Sequence, residues 1–74
     1  MIYAKQNFIY LVKINGTRKN FSELTGISIN TIKAILDKKC IPSLETLIIL
    51  HDTFNLSLDD LVFKDLEAIN RSDD

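Results

Sequence analysis

Gly26 restricts this chain more than any other residue. It separates two stretches of helical periodicity, residues 18–25 and 29–37, and only Ile27 and Ser28 follow it before the second stretch begins. Glycine enters the left-handed conformation that closes a helix without steric cost. Ser28 supplies a hydroxyl suited to capping the next helix. Three residues suffice for a tight turn and little else, so two short helices are expected to cross here at a steep angle. Ile27 is apolar within the turn and is expected to plug the space between them.

The rest of the chain supports this pair. Residues 2–14 give a first helix, with Phe8, Leu11 and Val12 at i, i+3 and i+4 and with Ile9, Tyr10 and Ile14 widening the apolar face. Asn15-Gly16 ends it. Thr17 caps a second helix over 18–25, where Phe21 and Leu24 face inward and Ser22 lets another helix approach. The third helix, 29–37, has Ile32, Ile35 and Leu36 as its inner stripe. Its opposite face carries Asn30, Lys33, Ala34 and Asp37. Lys38, Lys39, Cys40 and Ile41 form a loop ended by Pro42. Ser43 caps a fourth helix, 44–54, with Leu44, Leu47, Leu50, His51 and Phe54 on one face and Ile49 on the other. Ser57 caps a short fifth helix, 58–63, with Asp59 and Asp60 in the first turn, where acids suit the helix dipole. The expectation is a compact all-α domain of five helices over residues 1–64, followed by a polar tail, 65–74, that frays.

Charge is divided along the sequence. Residues 1–42 hold seven lysines and arginines against two acids, a net of +5, and residues 43–74 hold two against eight, a net of −6. One half is suited to a polyanion and the other to facing away from it. No apolar run approaches the ~18 residues of a membrane span. The N-terminus lacks the pattern of a signal peptide. Cys40 is the single cysteine, so no internal disulfide forms, and a reducing cytoplasm is expected. His51 and Cys40 have no companions at metal-ligand spacing. No nucleophile–base constellation or phosphate-cradling glycine loop is present, so neither an enzyme nor a cofactor is expected, and no small-molecule ligand is indicated.

Four motifs in order, Phe21-Ser22-x-x-Thr25-Gly26-Ile27-Ser28, Thr31-Ile32, Pro42-Ser43-Leu44-x-Thr46-Leu47 and Asn55-x-Ser57-Leu58-Asp59-Asp60-Leu61, resemble the Cro and phage-repressor helix-turn-helix class, often called Xre-like. The resemblance covers residues 7 to about 64. It implies a repressor-like transcription regulator that binds a double-stranded DNA operator, with the third helix in the major groove and the second across it. Carried over by position, Ile29, Asn30, Lys33 and Ala34 face the bases, with Ser28 and Thr31 beside them. Thr17, Arg18, Lys19, Lys38 and Lys39 contact the phosphate backbone. Asn30 suits adenine and Lys33 suits guanine. Arg18 and Lys19 oppose the dipole of their own helix but are well placed for a phosphate.

The chain departs from the family pattern in three respects. Ile29 and Ala34 are apolar where polar side chains are usual, which suits thymine methyls or a protein contact. Asp37 brings a negative charge near the phosphate path. Leu11 or Val12, with Leu36, replaces an Arg–Glu pair of the family. Such proteins commonly bind as dimers, and Ile49, with Ile48, Ile2, Tyr3, Ile9 and Tyr10, marks the expected subunit contact. The alternative function is a protein-interaction module of the same fold, antitoxin-like or a co-regulator.

Overall fold

Four side-chain hydroxyls set where the helices begin. Thr17, Ser28, Ser43 and Ser57 each adopt an extended backbone and accept the amide hydrogen of the residue three positions on: Asn20, Thr31, Thr46 and Asp60. Each such cap satisfies one of the donors a helix start leaves unpaired. In the computed structural model, which describes residues 2–38 and 40–72, these caps open α2 (Arg18–Thr25), α3 (Ile29–Asp37), α4 (Leu44–Phe54) and α5 (Leu58–Phe63). They are preceded by α1 (Ala4–Ile14) and followed by α6 (Leu66–Ser72). The architecture is all-α. α2 to α5 have the expected bounds, and α1 begins two residues later than expected.

α6 was not expected. Its first turn is anchored from the other end of the chain. Asn7, buried in α1, accepts a hydrogen bond from the Leu66 amide at 3.1 Å and donates to the carbonyls of Leu61 and Lys64 at 2.7 Å each. Gln6 donates to Asp65 at 3.2 Å, and Leu66 packs against the core. Residues 66–72 are therefore a docked helix and not part of a fraying tail.

The core gathers around Phe21. Its ring is fully buried, meets Phe8 edge-on at 5.4 Å between centroids and stacks on Phe54 at 5.9 Å, so one side chain joins α1, α2 and α4. Burial of a phenylalanine contributes ~1.5–3 kcal/mol, and favourable ring geometry adds ~0.5–1.5 kcal/mol per pair. Ile32 and Ile35 bring α3 into the same cluster, and Leu47, Leu50 and Leu61 close it from α4 and α5. Leu11 and Val12 are buried and Leu36 packs against the cluster, so no charged pair sits in the core at these positions.

The inner faces of the short helices differ from expectation at several positions. Leu24 is 55% exposed and Leu44 is 67% exposed. Leu44 is the first residue of α4 and projects past the core edge, while Thr46 and Leu47 are buried in its place. Ile49, on the other side of α4, is half-buried against the core. His51 is exposed, and its Nδ1 hydrogen-bonds to the Leu56 carbonyl, closing the turn after α4. Asn55 takes the left-handed conformation at that turn, with φ of 54°.

Candidate functional site

The turn between α2 and α3 is fixed from three sides. Gly26 takes a φ of 81°, a left-handed value that favours glycine, and its amide donates to the Ser22 carbonyl at 2.8 Å. Ser22 donates its hydroxyl to the Ile27 carbonyl at 2.6 Å, and Thr25 Oγ1 accepts from the Ile27 amide at 3.1 Å. Ile27 is buried, as its place in the turn predicts. Ser22 thus serves the turn through its hydroxyl as well as through its small size.

α3 buries Ile32 and Ile35 and turns the rest of its surface outward. Asn30, Lys33 and Asp37 are exposed, and Ile29, Thr31, Ala34 and Leu36 are half-buried along its edges. Ser28 is exposed, and its hydroxyl is committed to the helix start: it accepts from the Thr31 amide at 3.2 Å and donates to Thr31 Oγ1 at 2.9 Å. Thr17 is likewise engaged as the cap of α2, accepting from the Asn20 amide at 3.1 Å. At the other end of α3, Lys38 keeps a negative φ, and the Ala34 carbonyl accepts the amides of both Lys38 and Cys40. A helix end of this form needs no glycine. Lys39 lies outside the described residues.

Two shallow grooves flank the start of α3. One, of about 310 Å³, is bordered by Asn30, Ala34, Cys40 and Ile41. The other, of about 280 Å³, runs between the Gly26–Ser28 turn and the start of α4, with Ser43, Glu45 and Ile49 on its far side. Asn30 and Ala34 therefore share an accessible edge, and Lys33 projects beside them.

The start of α2 and the end of α3 meet directly. Arg18 Nη1 and Nη2 donate to the two carboxylate oxygens of Asp37 at 2.9 and 2.8 Å. The hydrogen bond from Arg18 holds the Asp37 carboxyl below its ordinary range; the charges of Arg18 and of Lys33 act in the same direction. The same hydrogen bond raises the Arg18 guanidinium. Lys19, Lys33 and Lys38 are exposed, and none of the three makes an ion pair among the described residues. The Arg18–Asp37 contact thus joins the start of α2 to the end of α3, with Arg18 engaged by a carboxylate. Asp37, an adverse charge near the phosphate path by sequence, is in the fold the partner of Arg18.

Elsewhere the acids serve other ends. Asp59 and Asp60 occupy the first turn of α5, and Asp60 pairs with Lys64 at 3.0 Å. Among the described residues no three histidines, cysteines or acids converge as a metal site, and no helix is long and apolar enough to cross a membrane. Comparison with family models, with curated proteins and with solved structures found no match to this chain.

Proposed function

We propose that this chain is a sequence-specific DNA-binding regulator that places α3 in the major groove, in the manner of the Cro and phage-repressor helix-turn-helix class it resembles. The observation that carries the reading is the outer surface of α3. It presents an exposed amide, Asn30, and an exposed ammonium, Lys33, with a further exposed cation, Lys38, at the end of α3 and another, Lys19, on α2. Asn30 suits the two-bond pattern of adenine, and Lys33 suits the acceptors of guanine. Lys19 and Lys38 suit phosphates, which position a protein on the duplex without reading sequence. α2 is joined to α3 through a turn held by Gly26, Ser22 and Ile27. Thr17 and Ser28 contribute through the helix starts that they cap.

The proposed setting is the cytoplasm, and regulation is by occupancy of an operator. Two copies on half-sites about one helical turn apart fit this class of domain. The deciding experiment is selection from random duplexes. An enriched motif containing A·T and G·C positions spaced for Asn30 and Lys33 supports the reading, and enrichment of no motif removes it.

A protein-interaction module is the second reading. It is favoured by exposed aliphatic side chains: Ile41, 76% exposed, borders the groove shared by Asn30 and Ala34, and Leu44 and Ile48 are exposed on α4. Retention of a protein partner with no duplex preference would favour this module.

A further inference from the structure

We propose that Asp37 governs how strongly the α3 face grips phosphate, by occupying Arg18 and making that arginine electrostatically silent toward DNA. The inference rests on the DNA-binding reading above.

Three observations lead to it. The contact is bidentate, with both terminal nitrogens of the guanidinium committed to the two oxygens of one carboxylate at 2.9 and 2.8 Å. This geometry is the most favourable one available to an arginine and a carboxylate. The pair also stands where neither residue suits its own helix. Arg18 is the first residue of α2 and Asp37 the last of α3, so each faces the dipole end of its own charge sign. Each therefore gains by turning to the other. Finally, Asp37 lies close enough to Lys33 to feel its charge. Lys33 precedes Asp37 by four residues on α3, so the carboxylate that holds Arg18 also neighbours the cation of the reading face.

A neutral pair releases no counterion from DNA. Each phosphate neutralised by a free cation adds ~0.9 to the slope of log affinity against log salt. Anchoring then falls to Lys19, Lys33 and Lys38, and the wild-type chain binds all duplexes more weakly, with a shallower salt dependence, than its basic residues suggest. Asp37 acts through Arg18, so it is a positioning residue and not a base contact.

The test uses the full chain and fluorescence anisotropy on a labelled mixed-sequence duplex, titrated between about 50 and 200 mM salt. Four proteins are compared: wild type, Arg18→Ala, Asp37→Asn and the double variant, each first shown by circular dichroism to be folded. Arg18→Ala is expected to leave the slope unchanged. Asp37→Asn is expected to steepen it by ~0.9 and to tighten binding several-fold at low salt, as a freed Arg18 reaches a phosphate. The double variant is expected to return to the wild-type slope. If Arg18→Ala lowers the slope by ~0.9, Arg18 already contacts phosphate and the proposal fails while the DNA reading stands. If Asp37→Asn shifts the melting temperature but not the slope, the pair is structural only and the proposal again fails. If wild type binds no duplex, the DNA reading itself fails, an outcome distinct from the other two.

Discussion

The Leu66 amide, at the first turn of α6, donates to the side-chain oxygen of Asn7 in α1, 59 residues away in sequence, at 3.1 Å. The side-chain nitrogen of Asn7 donates to the Leu61 and Lys64 carbonyls at 2.7 Å. One buried side chain thus takes up polar groups at the end of α5 and the start of α6. α5 and α6 form a unit because both are fastened to the same point on α1.

Replacement of Asn7 by Ala leaves two carbonyls and one amide without their partner. An unpaired buried polar group costs ~1–3 kcal/mol, and a small domain has only ~5–15 kcal/mol in total. Asn7→Ala is expected to lose ~3 kcal/mol or more in urea unfolding, and the amides of α6 are expected to lose hydrogen-exchange protection first. A loss below ~1 kcal/mol with α6 still protected would show that apolar packing alone docks that helix.

Gly26 makes a different kind of contribution. No heavy atom lies within 4 Å of where a Cβ would sit, so a side chain there meets open space. The cost of substitution is then conformational alone, the penalty for a left-handed backbone, ~1–2 kcal/mol for an ordinary residue. Gly26→Ala is expected to destabilise by about this amount, and Gly26→Asn by less, because asparagine visits this region more readily. Urea midpoints for the two variants check the order, and Ala equal to or better than Asn contradicts it.

The Arg18–Asp37 pair has a defined pH dependence. Asp37's carboxyl is held below its ordinary value by the hydrogen bond from Arg18. Its contribution to stability is therefore fully present above the unfolded aspartate pKa, ~3.9, and is lost as pH falls through the lower folded value. The difference in melting temperature between wild type and Asp37→Asn is expected to be constant from about pH 5 to 8 and to shrink only in acid. A difference that changes near neutrality would point to another titrating group.

Much of this architecture is legible in the sequence because its signals are local. The hydroxyls at Thr17, Ser28, Ser43 and Ser57 cap helices three residues upstream of the amides they accept, and each can be read without knowledge of the rest of the chain. Gly26 and the apolar Ile27 mark the turn in the same way. The inner faces of short helices are less legible, since the end of a helix can project past the core, as Leu24 and Leu44 do. α6 was missed because its anchor, Asn7, is distant in sequence. The Arg18–Asp37 pair does leave a signal in the sequence. An arginine at a helix start and an aspartate at a nearby helix end each oppose their own dipole, and two such misfits on adjacent helices suit one another.

Asn30 and Lys33 provide the sharpest separation between the two functional readings. Both are exposed on α3, and neither contributes to the core, so removing either leaves the fold intact. A good side-chain contact to a base edge is worth ~1–3 kcal/mol of discrimination, which is about five- to 150-fold in relative affinity. On a duplex obtained by selection, Asn30→Ala is expected to relax preference at one A·T pair and Lys33→Ala at one G·C pair, with other positions unchanged. Ile41→Glu, at the exposed residue that borders the groove beside Asn30 and Ala34, is expected to leave base preference as it was and to abolish any protein contact made there. Competition assays with single-base variants of the duplex measure the first effect, and retention of the partner protein measures the second. If Asn30→Ala and Lys33→Ala lower affinity for every duplex equally, the α3 face does not read bases, and sequence specificity must be removed from the proposed function.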